Sequence, residues 1–142
     1  MNQGFDEMYQ EMIRDHFKNP NYRAILNPDA PLFENPSCGD QVRLQLSVEK
    51  GVVKQCNFDG AGCSISMSST DMMCDVLEGK TLNEAQNLVA RFLEIMKGKG
   101  SISDLETMGD LAALSGVVQL PVRVKCATLA WNAAAKMLEE KI

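Results

Sequence analysis

The sequence has one histidine, no C-x-x-C pair, no glycine-rich phosphate loop, and no serine, histidine and aspartate placed to make a nucleophilic triad. The missing loop removes the phosphate-cradling nucleotide enzymes. The missing triad removes hydrolases built on a histidine base. Without a C-x-x-C pair, no spacing announces a zinc site by itself. No apolar run approaches the roughly 18 residues a membrane helix needs. Asp6, Glu7 and Glu11 fall where an export signal requires positive charge and then an apolar stretch. Net charge is -5 with no basic stripe, which argues against nucleic acid as a partner. The expectation is a cytoplasmic protein with no membrane or nucleic-acid role.

What is present is cysteine. Five cysteines in a chain without an export signal point to metal or redox chemistry, and their odd number argues against a fully paired disulfide framework. With 142 residues, 45% of them hydrophobic and 23% charged, the chain reads as one globular domain spanning residues 1–142. Nine methionines are read as flexible core filler.

Apolar residues at helical spacing over residues 4–18 (Phe5, Met8, Tyr9, Met12, Ile13, Phe17) predict an amphipathic helix that Asn19-Pro20 stops. His16 lies on or beside that stripe and is read as packed or surface-lying, outside any site. An irregular crossing follows, with a short strand at Leu32-Phe33. Val42, Leu44, Leu46 and Val48 then alternate with Arg43, Gln45, Ser47 and Glu49, the period of a half-buried strand. Glu49-Lys50-Gly51 turns the chain into a return strand from Val52 to Asp59, with Cys56 and Phe58 on one face. Such a hairpin sets its distal ends side by side, and those ends carry Cys38 and Cys63.

A helix is predicted from Ser64 to Glu78, closed by Gly79, with Cys63 at its N-terminus. There the dipole and free amides favour a thiolate. Thr81 and Glu84 form a capping box for the next helix, which Gly98 ends. Ser103 and Glu106 suggest another capping box, for a short helix over Leu105–Leu114 that Gly116 breaks. Pro121 opens a long C-terminal helix carrying Cys126 in its first turns. The order of elements implies an α+β fold, with helices packed on one face of a small antiparallel sheet.

Cys38, Asp40, Cys63 and Cys126 make four donors of the kinds zinc accepts, and Gly39 lets one loop present both Cys38 and Asp40. Three thiolates and a carboxylate around a divalent ion leave negative charge that Arg123 and Lys125, beside Cys126, would offset. On spacing alone the alternative stays open, that these cysteines are scattered small core residues. That is the preferred reading of Cys56, in the apolar register of a strand, and of Cys74, mid-helix among Met72, Met73 and Leu77.

Three segments carry a resemblance: Cys38-Gly39-Asp40; Gly60-Ala61-Gly62-Cys63-Ser64-Ile65-Ser66; and residues 120–131, Leu-Pro-Val-Arg-Val-Lys-Cys-Ala-Thr-Leu-Ala-Trp. In that order and over nearly the whole chain, they resemble the U-type iron–sulfur assembly proteins, which include IscU, the N-terminal domain of NifU and the SufU branch. The resemblance implies an IscU-like fold, and ligands at Cys38, Asp40, Cys63 and Cys126. In the scaffold branch a histidine precedes the third cysteine; here the residue is Lys125. The segment from Lys97 to Gly116 also looks longer than in that branch. Both features look like the SufU branch, described as zinc-dependent sulfurtransferases that work with a cysteine desulfurase and serve downstream iron–sulfur assembly proteins. Protonated lysine cannot bind zinc, so Asp40 has to fill the fourth corner. The expected acceptor of sulfur is Cys38, on a Pro/Gly-flanked loop. Two other roles remain: a scaffold holding iron or an iron–sulfur cluster at the same ligands, or a zinc-stapled adaptor without chemistry.

Overall fold

Apolar and polar residues alternate along β2 (Asp40–Glu49), so that Val42, Leu44 and Leu46 are buried while Gln41, Arg43, Gln45 and Ser47 face outward. The computed structural model describes residues 3–24 and 26–141, with residues 3–6 as backbone only. Phe5, placed on the first helix's apolar stripe by the sequence, therefore lies outside the described side chains.

Lys50 and Gly51, with φ of 53° and 75°, close the two-residue turn into β3 (Val52–Ala61), pairing Glu49 with Val52. Left-handed backbone at both positions matches the twist of the flanking strands. Lys54 is an extra residue on β3. It shifts the register between Ser47↔Gln55 and Val48↔Val53, so Val53 and Cys56 both point inward. β1 (Leu32–Asn35) pairs antiparallel on the other side of β2, giving the order β1-β2-β3.

The helices cover the inner face of this sheet. α2 (Ser64–Leu77) lies against β3, and α4 (Pro121–Glu139) lies against β1 and β2. α3 (Leu82–Met96) packs on α4, and α1 (Gln3–Lys18) packs on α2. The small residues of α2 let α4 approach closely. Ser69 Oγ donates to Ala127 O at 2.7 Å and accepts from Trp131 Nε1 at 3.0 Å. The Trp131 ring stacks on Phe92 of α3, with centroids 3.9 Å apart. This arrangement is the expected α+β fold. The capping box of α3 is also present, with Thr81 and Glu84 bonding each other's backbone N–H.

The segment before α4 departs from expectation. No α-helix covers Leu105–Leu114; two 3-10 helices run over Ile102–Thr107 and Gly109–Gln119. Gly109, at φ 64°, sits at the junction between them. Ser103 does not cap a helix, because its hydroxyl bonds that of Ser101 at 2.6 Å. Gly116 lies inside the second 3-10 segment and does not break it. Leu105, Leu111 and Leu114 are all fully buried. Packing, not the α-helical hydrogen-bond ladder, fixes their spacing.

Candidate metal centre

β1 ends at Asn35 and β2 begins at Asp40, and these two residues face each other in register. The link between them is held by Asn35. Its carbonyl accepts from Cys38 N at 3.2 Å and Gly39 N at 2.8 Å, and its Oδ1 accepts from Ser37 N at 3.3 Å. Gly39, with φ 75°, completes the turn and leaves Cys38 exposed. The Asp40 side chain points inward from the first position of β2 and is buried.

The hairpin brings the other end of β3 to the same place, with Gln41 opposite Ala61. Asp40 Oδ1 accepts from Cys63 N at 2.9 Å, and Oδ2 lies 3.9 Å from Cys63 Sγ. This contact explains Gly62. A Cβ there would sit 2.5 Å from Asp40 Oδ1, so any larger residue expels the carboxylate. Cys63 is the N-cap of α2, its sulfur accepting from Ser66 N at 3.4 Å.

Cys126 arrives from a third direction. It is buried in the second turn of α4, not at the free N-terminus, and its Sγ lies 3.3 Å from Cys38 Sγ and 4.0 Å from Val122 O. The ligand atoms of Cys38, Asp40 and Cys126 all fall within 4.8 Å of one another. Cys63 lies outside that group and touches it through Asp40. Two sulfurs bound to one tetrahedral zinc lie about 3.8 Å apart. The Cys38 and Cys126 sulfurs, 3.3 Å apart, are within side-chain rotation of that edge, and Cys63 Sγ stands 3.9 Å from a carboxylate oxygen of Asp40. Burial, then the neighbouring Cys38, Asp40 and Cys63, push the Cys126 thiol well above the ordinary thiol range. A cation among these donors would reverse that preference. The donor set fits zinc.

Arg123 and Lys125 are exposed, and among the described residues neither side chain makes a hydrogen bond or ion pair. Cys56 and Cys74 form a second sulfur pair, 3.2 Å apart and fully buried in the core, far from water and without a carboxylate ligand. His16 stays outside the centre. It is buried, with Nδ1 2.6 Å from Asp71 Oδ2 and Nε2 2.7 Å from Asp110 Oδ2. The Asp71 bond, opposed by burial and aided by Asp110, raises its pKa to about 9. Sequence reading missed Asn35 and Gly62. Only the glycine left a trace, in the Gly60-Ala61-Gly62-Cys63 run.

The family model described as the NifU-like N-terminal domain matches residues 8–138. The chain belongs to that family. Among members of the NifU-like family, a Bacillus subtilis protein named zinc-dependent sulfurtransferase SufU is 40% identical over 136 residues, covering 95% of this chain and 92% of that protein. A Streptococcus pyogenes protein named iron–sulfur cluster assembly scaffold protein IscU is 34% identical, covering 94% and 84%. The crystal structure of FiSufU from Fervidobacterium islandicum AW-1 superposes with a TM-score of 0.77 at 31% identity, covering 94% and 95% of the two chains. Among the described residues no helix is long and apolar enough to cross a membrane.

Proposed function

We propose that this chain is a zinc-dependent sulfurtransferase, accepting persulfide sulfur from a cysteine desulfurase for iron–sulfur cluster assembly. The observation that carries this reading is an exposed thiol, Cys38, whose sulfur lies 3.3 Å from buried Cys126 in one donor group with Asp40. Cys38, Asp40, Cys63 and Cys126 would hold the zinc. Bound there, zinc supplies a charge that keeps thiols deprotonated while adding no redox chemistry. Five free cysteines suit a reducing cytoplasmic location.

Each residue then has a task. Cys63 and Cys126 are fixed by α2 and α4, whereas Cys38 sits on the turn between β1 and β2. The Cys38 thiolate attacks the outer sulfur of the donor's persulfide. A new S–S bond forms as the donor's S–S bond breaks, and the donor cysteine leaves as a thiolate. Sulfur is carried on as a Cys38 persulfide. Asp40, anchored by Cys63 N, keeps its second oxygen turned toward the thiols. Arg123 and Lys125, exposed on the opening turns of α4, add positive charge near the incoming anion.

The B. subtilis relative's name supports this reading, as does lysine in place of histidine at position 125. The test loads a cysteine desulfurase with radiolabelled cysteine and follows label onto this chain. Wild type should take up label that a reductant releases, and Cys38→Ser should not. Normal labelling of Cys38→Ser overturns the acceptor assignment. A cluster scaffold is the second reading, supported by the relatives named IscU and by the affinity of thiolates for iron–sulfur clusters. Brown protein with charge-transfer absorption would favour it, and colourless protein with one zinc per chain would not.

A further inference from the structure

The outer face of the sheet carries a feature that the thiol chemistry leaves unused. Leu32, Arg43 and Asp59 lie directly opposite one another across β1, β2 and β3, with Gln41 and Ala61 one step nearer the thiols. Together with Arg23 they line an open groove. Arg23 enters from the segment running alongside β3, where Ala24 N donates to Phe58 O at 3.0 Å. Its Nε donates to Asp59 Oδ1 at 3.0 Å, and its other arm reaches Gly60 O.

That pairing decides the charge of the groove. Asp59 is the in-register neighbour of Arg43, yet Arg23 has taken it. Arg43 is half-buried, donates one bond to Ala30 O at 2.8 Å, and has no carboxylate partner among the described residues. A guanidinium offers five N–H donors in a planar fork suited to carboxylates. The groove therefore holds one guanidinium that no carboxylate pairs, the nearby Glu34 accepting instead from Gln41 Nε2 at 3.5 Å. It also sits at the thiol end of the hairpin. Gln41 follows Asp40 directly, and Ala61 precedes Cys63 by two residues, about 7 Å of extended chain.

We infer that this groove is a docking surface for an acidic loop of the sulfur donor, with a donor carboxylate pairing with Arg43 while Cys38 meets the persulfide. The identity of the partner rests on the sulfur-transfer reading. Rim charges of this kind act mainly on encounter and orientation, so they set how much partner is needed rather than the rate once bound.

The experiment measures two quantities on the zinc-loaded chain: its dissociation constant for the cysteine desulfurase by fluorescence anisotropy, and label transfer at saturating concentration. Arg43→Gln should weaken binding roughly tenfold and Arg43→Glu further, with transfer at saturation and zinc content unchanged. Wild-type binding should weaken as salt rises from about 50 to about 300 mM, less steeply for Arg43→Gln. Lys54→Glu, on the exposed bulge at the far end of the hairpin, should bind as wild type. Dissociation constants within twofold of wild type for both Arg43 variants overturn the proposal, even where transfer proceeds. So does binding of inorganic phosphate that Arg43→Gln abolishes while desulfurase affinity is unchanged, because the groove is then a small-anion site. Weakened binding by the variants with no transfer in wild type upholds the docking surface and overturns the sulfur-transfer reading instead.

Discussion

The molecule contains two pairs of cysteine sulfurs at nearly the same separation, Cys38–Cys126 at 3.3 Å and Cys56–Cys74 at 3.2 Å. In each pair burial pushes one thiol, Cys126 or Cys74, well above the usual range. Proximity and a raised thiol pKa therefore do not distinguish them. The difference is in what surrounds each pair. Cys38 and Cys126 meet where a turn and a helix converge, beside the Asp40 carboxylate and a third thiol, and one of them faces solvent. Cys56 and Cys74 meet mid-strand and mid-helix, inside the apolar cluster that fills the core. Sulfur is placed to act as a ligand or a nucleophile where a charged donor and solvent stand beside it. Enclosed by apolar side chains it is packing material.

The largest test of this contrast is to remove one sulfur from each pair. Cys126→Ser should lower zinc affinity by roughly 100-fold or more. Cys74→Ser should retain full zinc and lose about 1–3 kcal/mol of stability, because a hydroxyl replaces a thiol in an apolar core. Metal content and urea unfolding read the two quantities separately. Equal zinc in Cys126→Ser and wild type would erase the distinction.

A smaller effect should follow from touching the centre without removing a ligand. In Gly62→Ala the new methyl occupies the place of Asp40 Oδ1, 2.5 Å away. Zinc affinity should fall about 10–100-fold, as when a residue orienting a ligand is lost. The melting temperature of the metal-free protein should barely move. An unchanged zinc affinity would mean that Asp40 is not held where the centre needs it.

The smallest effect concerns an ion pair on the helix that carries Cys74. Asp71 lies one turn before Cys74 on α2, and its carboxylate is tied to His16 of α1 and to Tyr22 N. The His16 pKa is raised from 6.5 to about 9 in the folded chain. Its contribution to stability is thus complete below about pH 6.5 and is lost as pH rises through about 9. Between pH 7 and 10 the wild-type melting temperature should fall by roughly 5 °C more than that of His16→Gln. Parallel declines in the two proteins would show that the ion pair contributes nothing.

The parts of this fold legible in sequence are those governed by neighbours in the chain. The β2–β3 hairpin follows from alternation and a Lys-Gly turn, the α3 start from Thr81 and Glu84, and the α4 start from Pro121. The proposed ligand positions were suggested only through three motifs, since no two of the cysteines are close enough in sequence to form a recognisable pair. The segment from Ile102 to Gln119 misled, because the same leucines serve an α-helix or a 3-10 helix and packing chooses between them. The His16 partners were invisible, lying 55 and 94 residues away.

Outside residues 102–119, sequence by itself determined which elements form and which face of each is apolar, because hydrogen-bond periodicity and side-chain alternation act over a few residues. It also supplied the candidate donors: three sulfurs and a carboxylate, with Gly39 between Cys38 and Asp40 and Gly62 before Cys63. Tertiary structure alone decided that Cys126 should meet Cys38 across 88 residues, and that Asp59 should go to Arg23 and leave Arg43 without a carboxylate among the described residues. Those outcomes depend on how helices seat on a twisted sheet, where distances of a few ångströms between remote segments are set by the packing of everything between them.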